Sequence, residues 1–264
     1  MKTSNQIVSV LLLTFIALSA IADEIVILNT RNDVEQRVLL LKPDTPKASI
    51  ILFAGGKGVL GLSTVFRYPS IKWGKKNFLV RTRNLFLNNG FLVAVVDAPS
   101  DMQSKKGMLG GFRDSSEHVE DIDQVIQYLR QQESIPVWLV GTSRGTESVA
   151  NIAINSQQMP DGIVLTSSIS VNNTKGTAVT EMDLSKITVP ALIVANVSDE
   201  CVITPAEGAD RIAALLVNAQ KVEVKKFSGG STPQSKPCKA MSHHGFLGIE
   251  GVVVNSISDY IESN

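Results

Sequence analysis

The chain has 264 residues, of which 44% are hydrophobic and 19% charged. That is enough apolar material for one sizeable core, in a length normal for a sheet flanked by helices. Its 25 Lys and Arg balance its 25 Asp and Glu, which removes the electrostatic reason to expect nucleic acid or an anionic membrane as partner.

The N-terminus reads as an export signal. Lys2 supplies a positive start, Ile7–Ile16 is mainly apolar, and Ala20-Ile21-Ala22 fits the small-x-small rule, so cleavage is expected before Asp23. The apolar stretch is interrupted by Ser9, Thr14 and Ser19 and is shorter than the ~20 residues a span needs. The expectation is therefore a signal peptide over 1–22, one domain over 23–264, a periplasmic or secreted location, and no membrane span once the signal is removed.

Glu24–Asn29 and Gln36–Lys42 read as two opening strands, in a possible hairpin. Ser49–Ala54, Phe91–Asp97, Pro136–Gly141, Gly162–Thr166, Ala191–Asn196 and Lys221–Phe227 are short apolar runs of the kind that suits buried parallel strands. Helical patterns lie between them. Phe78–Asn88 ends at Asn89-Gly90, and Asp114 with Glu117 suggests a D-x-x-E start before the stripe Val119, Ile122, Ile126 and Leu129. Ala206–Val217 and Gly251–Ile261 carry similar stripes. Strands alternating with helices predict an α/β fold with a mostly parallel sheet, helices on both faces and right-handed crossovers.

The strand at Pro136–Val140 runs into Gly141-Thr142-Ser143-Arg144-Gly145, and a helical stretch follows. This is G-x-S-x-G between strand and helix, a turn that lifts a serine hydroxyl above the sheet. With Val95-Val96-Asp97-Ala98-Pro99 upstream, the chain resembles the α/β-hydrolase family from about Ala48 to its C-terminus. Within that family it is most similar to small enzymes of the dienelactone-hydrolase or peptidase-like branch. The resemblance implies an α/β-hydrolase fold and a nucleophile at Ser143.

The family's order of nucleophile, acid and base directs the search downstream. His118 precedes Ser143 and sits in a helix, where a surface or partly buried place is expected. His243 and His244 stand in Met241-Ser242-His243-His244-Gly245-Phe246, where the family carries its base. The resemblance favours His244, because His-Gly-Phe is a common pattern there, and His243 is the alternative. The family's acid lies in a loop before a proline. Asp199 matches that place ahead of Pro205, with Glu200 as competitor.

Ala54-Gly55-Gly56-Lys57-Gly58 resembles the family's oxyanion loop, although Ala54 stands where His often does. The resemblance implies backbone donors at Arg144 and at Gly56 or Lys57. A phosphate-cradling loop is not indicated, since Gly58 is followed by Val.

Cys201 and Cys238, the only cysteines, either pair in an oxidising compartment or stay as buried thiols. They are too few for a metal site, and no metal or organic cofactor is expected. A bond between them would tie the acid loop to the base loop.

Thr166–Thr188 and Pro99–Arg113 are the segments available to cover the site. Both are modest, so no large cap domain and an open pocket are expected. Arg113 and Arg144 either bind a substrate carboxylate or form internal salt bridges, and the second reading weighs at least as much as the first. The expected activity is hydrolysis of a small-molecule ester, or of an ester at a polymer end, through an acyl-Ser143 intermediate. Peptide or amide hydrolysis by the same residues is the alternative enzyme, and a catalytically silent exported binding protein the alternative class.

Overall fold

The structure is a computed structural model that describes residues 23–264. The expected export signal, residues 1–22, lies outside the described residues.

An antiparallel hairpin opens the chain, β1 (Glu24–Arg31) with β2 (Val34–Leu41), slightly longer than the sequence pattern suggests. Then follow β3 (Ser49–Phe53), a small separate hairpin of β4 (Leu62–Val65) and β5 (Tyr68–Ile71), α1 (Phe78–Asn88) and β6 (Leu92–Val96). The second half continues with α2 (Ser116–Gln132), β7 (Val137–Thr142), α3 (Gly145–Asn155), β8 (Gly162–Thr166), β9 (Ala191–Asn196), α4 (Gly208–Leu215), β10 (Val222–Phe227) and α5 (Glu250–Glu262). The eight-stranded sheet has the order β1-β2-β6-β3-β7-β8-β9-β10. From β6 to β10 every pairing is parallel, and only the β1–β2–β6 edge is antiparallel.

Parallel strands buried on both faces need cover on both sides. In β3, Ile51 and Phe53 join a core with Ile122, Ile126 and Leu129 of α2, Val149 of α3 and Ile212 of α4. The alternate residues Ile50 and Leu52 pack with Phe78, Leu79 and Phe86 of α1 and Val253 and Ile257 of α5. This period-two division explains why the strand segments read as continuous apolar runs.

The cap of α2 departs from the expected D-x-x-E box. Phe112–Asp114 forms a short 3-10 turn, so Ser115 takes the cap position and its Oγ accepts from His118 N at 3.3 Å. The β4–β5 hairpin has no counterpart in the sequence reading. Its turn residues Phe66 and Arg67 both adopt positive φ without glycine, and Pro69 lies within β5.

Candidate active site

The sheet delivers all the expected site residues to one end, beyond the carboxyl ends of its parallel strands, where α/β folds place their ligands. A larger cavity of about 550 Å³ lies at the opposite end, lined by residues such as Ala48, Pro136 and Pro190 that precede strands. It holds none of the chemical groups discussed below.

Ser143 follows β7 directly and has φ +52°, left-handed backbone that a non-glycine residue occupies only under constraint. The constraint is visible: Ser143 N donates to Thr166 O at 2.9 Å, and Ser143 O accepts from Thr146 N at 2.9 Å as α3 begins. The flanking glycines are required by close approach. A Cβ on Gly145 would stand 2.1 Å from Phe53 O, and one on Gly141 would stand 2.5 Å from Gly145 O.

Asp199 and His244 meet. His244 Nδ1 lies 2.8 Å from Asp199 Oδ2, with both side chains buried. Asp199 is itself held: Oδ1 accepts from Cys201 N at 2.9 Å, and Oδ2 accepts from Thr204 Oγ1 at 2.9 Å. Thr204 Oγ1 is also 3.1 Å from His244 Nδ1. His243 turns elsewhere, with Nδ1 3.1 Å from Ser198 O. Glu200, the competing acid, is exposed.

Two further side chains place the base loop. Ser167 Oγ donates to His244 O at 2.9 Å, from the residue after Thr166, whose carbonyl receives the Ser143 amide. Asn196 Nδ2 donates to Gly229 O at 3.0 Å and His243 O at 3.3 Å, while Asn196 Oδ1 accepts from Ser198 N at 2.9 Å. Among the described residues no hydrogen bond joins Ser143 Oγ to His244; such contacts often tighten only around substrate. Thr204, Ser167 and Asn196 are absent from the sequence reading. Their roles depend on which loops meet, and the Thr-Pro pair before α4 is the only local signal.

The expected oxyanion loop reaches Ser143. A Cβ on Gly55 would stand 3.0 Å from Ser143 Cβ. No hydrogen bond among the described residues occupies the amides of Gly56, Lys57 or Arg144. The loop's exit is clamped by Asp97, whose carboxylate accepts from Leu60 N at 2.6 Å and Leu62 N at 2.8 Å. Its outer side is braced by Arg113, which donates to Ala54 O at 2.8 Å and Ser148 Oγ at 2.6 Å.

Arg113 and Arg144 are therefore not available to a substrate carboxylate, which decides between the two readings in favour of internal contacts. Arg113 is 1% exposed and Arg144 4%. Arg144 pairs with Glu147 and bonds Asn173, and burial pushes the Arg113 guanidinium down to about 10. Asn173 belongs to one of the two covering segments. That segment joins the other through Gly110 N and Lys175 O at 2.9 Å, so the two form one continuous rim.

Asp199, Cys201 and His244 also place a carboxylate oxygen, a sulfur and an imidazole nitrogen within 4.8 Å of one another. They do not fit a metal. The sulfur is bonded to Cys238 and has no thiolate to offer, and the other two groups are bonded to each other.

Two buried groups behind the site make stability depend on pH. His118 is 1% exposed, where a surface or partly buried place was expected, and neither ring nitrogen has a partner. Burial, reinforced by Arg113 and Arg31, lowers its pKa to about 3. Between about 6.5 and 3 only the unfolded chain takes up this proton, so acidification destabilises the fold by at most ~1.4 kcal/mol per pH unit. Burial raises Glu147 from 4.5 to about 7, against the opposing pull of Arg144. Its contribution is complete below about 4.5 and is lost as pH rises through about 7. The slopes oppose each other between 4.5 and 6.5, so urea titrations should show a flat maximum there, with His118→Phe flattening the acid limb and Glu147→Gln the neutral one. An acid limb unchanged in His118→Phe would refute the assignment.

No family model matches the chain, and no curated protein matches it either. Solved structures do match. An esterase from Pyrococcus furiosus superposes with TM-score 0.65 at 11% identity, over 92% of this chain and 93% of that one. A sugar hydrolase from Lactococcus lactis gives 0.63 at 19%, over 91% and 98%. A lidless serine hydrolase from Xanthomonas campestris gives 0.58 at 14%, over 92% and 94%. At such identities the likeness concerns the fold, and with the strand order and the covering segments described it establishes that the chain has the α/β-hydrolase fold without a large cap domain.

Proposed function

We propose that this protein is an exported serine hydrolase that cleaves a carboxylic ester through an acyl-Ser143 intermediate. The observation that carries the reading is a positive-φ serine at the end of β7, with a buried His–Asp pair tethered to the neighbouring strand end. With Nδ1–H donated to Asp199, His244 keeps Nε2 free to accept the Ser143 proton. Ser143 Oγ bonds to the ester carbon, the amides of Arg144 and of Gly56 or Lys57 receive the developing oxyanion, and the proton passes from His244 to the departing alcohol. Water then enters, gives a proton to His244 and bonds to the acyl carbon, and His244 passes that proton to Ser143 Oγ as the acid is released. The bonded pair Cys201–Cys238 supports an oxidising compartment. Among the described residues no helix is long and apolar enough to cross a membrane.

A fluorophosphonate probe tests the reading. The mature protein should be labelled stoichiometrically and turn over p-nitrophenyl acetate, and Ser143→Ala should do neither while melting like the parent. A folded parent that resists the probe would overturn the proposal.

A further inference from the structure

A chain of zero net charge gathers cations in two stretches, one of which contains the oxyanion loop. Between residues 54 and 76 it carries five basic residues and no acidic one, and residues 103–107 add Lys105 and Lys106. None of these cations forms an ion pair among the described residues. Some cations elsewhere on the fold, such as Arg31, Arg81 and Arg130, are paired, while others, such as Lys175 and Lys236, also lack an ion pair among the described residues.

Two of the cations in those stretches, one from each, border a hollow. Lys57, Val59, Trp73, Gln103, Ser104 and Lys105 line a cavity of about 460 Å³, within the size range of small-molecule sites. It begins two residues from Gly55, which lies against the nucleophile. The Lys105 wall is seated on the oxyanion loop, for Met108 N donates to Lys57 O at 3.0 Å. Gly107 permits that seating: its φ is +59°, and a Cβ there would stand 2.6 Å from Lys57 O. The opposite wall is Trp73, anchored by its amide to Leu60 O at 2.8 Å yet 55% exposed. Leu60 is in turn fixed by Asp97. An indole on an anchored backbone, with the Lys72 ammonium 5.1 Å from its centroid and the ring still left in solvent, stands beside two unpaired ammonium groups around the same hollow, and together they match a ligand that has both a flat ring and a negative charge.

We propose that this cavity binds the non-reacting part of the substrate, and that this part carries a carboxylate beside a planar ring. The ring stacks on Trp73, and the carboxylate sits between the Lys57 and Lys105 ammonium groups. The assignment rests on the ester-hydrolase reading, and it moves anion recognition from the two buried arginines to the exposed lysines.

Three acetates that differ in the charge of the alcohol part test it: phenyl acetate, 4-acetoxybenzoate and 4-acetoxy-N,N,N-trimethylanilinium. The ratio of wild-type to variant kcat/KM cancels their intrinsic reactivities. Lys105→Glu should lower kcat/KM for 4-acetoxybenzoate about tenfold through KM, leave phenyl acetate unchanged and favour the cation. Trp73→Ala should weaken the aryl carboxylate without altering turnover of methyl acetate. Binding is read separately from chemistry by titrating Ser143→Ala with 4-hydroxybenzoate and following indole fluorescence. A saturable change should appear and should vanish in Ser143→Ala/Trp73→Phe, where only the buried Trp138 remains. Ser143-dependent turnover with no charge discrimination would overturn this inference and leave the hydrolase reading intact. Saturable binding without turnover of any ester would do the reverse. Lysines that merely face solvent would give neither charge discrimination nor saturable binding.

Discussion

Replacing His244 by alanine should lower ester turnover by a factor on the order of 10⁴–10⁶, while His243→Ala should retain it within a few-fold. The two residues are neighbours of the same type, and the contrast between them follows from what each Nδ1 faces. His244 Nδ1 meets a buried carboxylate at 2.8 Å that two further donors already orient. An imidazolium formed there gains a charge partner, and Nε2 is left to work. His243 Nδ1 meets the carbonyl of Ser198 at 3.1 Å, which fixes the ring but offers a developing cation no countercharge. Asp199→Asn should cost about 10⁴ in kcat with little change in KM, because the amide oxygen can still accept from Cys201 N while the amide NH2, now facing Thr204 Oγ1 and His244 Nδ1, donates and favours the wrong imidazole tautomer. Initial rates with p-nitrophenyl acetate, alongside melting curves that verify folding, decide the matter. Full activity in His244→Ala, or a dead His243→Ala, would remove His244 as the base.

What was legible in the sequence, and what was not, divides by range. The elbow was legible because its constraint is local: a left-handed serine between strand and helix needs glycine at 141 and 145 to clear Phe53 O and the turn itself. The strands were legible because burial on both faces demands unbroken apolar runs. The choice within His243-His244 was not decided by residue type, since adjacent side chains point apart and only the meeting of two loops shows which one finds Asp199. For Arg113 and Arg144 the sequence leaves substrate binding and internal salt bridges both open, because Glu147 is the only nearby partner and the others are remote. Arg113 reaches Ala54 O, 59 residues away, and Arg144 reaches Asn173, 29 away. The β4–β5 hairpin is illegible for the opposite reason. Its local signals are poor, with Pro69 in a strand and neither Gly nor Asn in a turn that needs two positive φ values. It persists because Asp97 clamps its entry at Leu60 and Leu62.

Removing the disulfide by Cys201→Ala with Cys238→Ala should destabilise the protein by roughly 3–4 kcal/mol, lowering Tm by about 10 °C, with only a few-fold loss of kcat well below the transition. The stability loss follows from the separation of 37 residues, whose unfolded loop the bond restricts. The small effect on rate follows from the contacts that remain. Asn196 still joins the acid loop to the base loop through Ser198 N, Gly229 O and His243 O, and Ser167 still holds His244 O. Asp199 and His244 stay bonded to each other and to Thr204. On this account the crosslink protects the chain against unfolding, and hydrogen bonds at the strand ends set the register of Asp199 and His244. Asn196→Ala should show the converse pattern, with kcat falling about tenfold or more while the crosslink holds the global fold. If instead the cysteine-free protein loses turnover in full at temperatures far below its Tm, the covalent tie itself aligns the acid with the base, and the polar tethers are secondary to it.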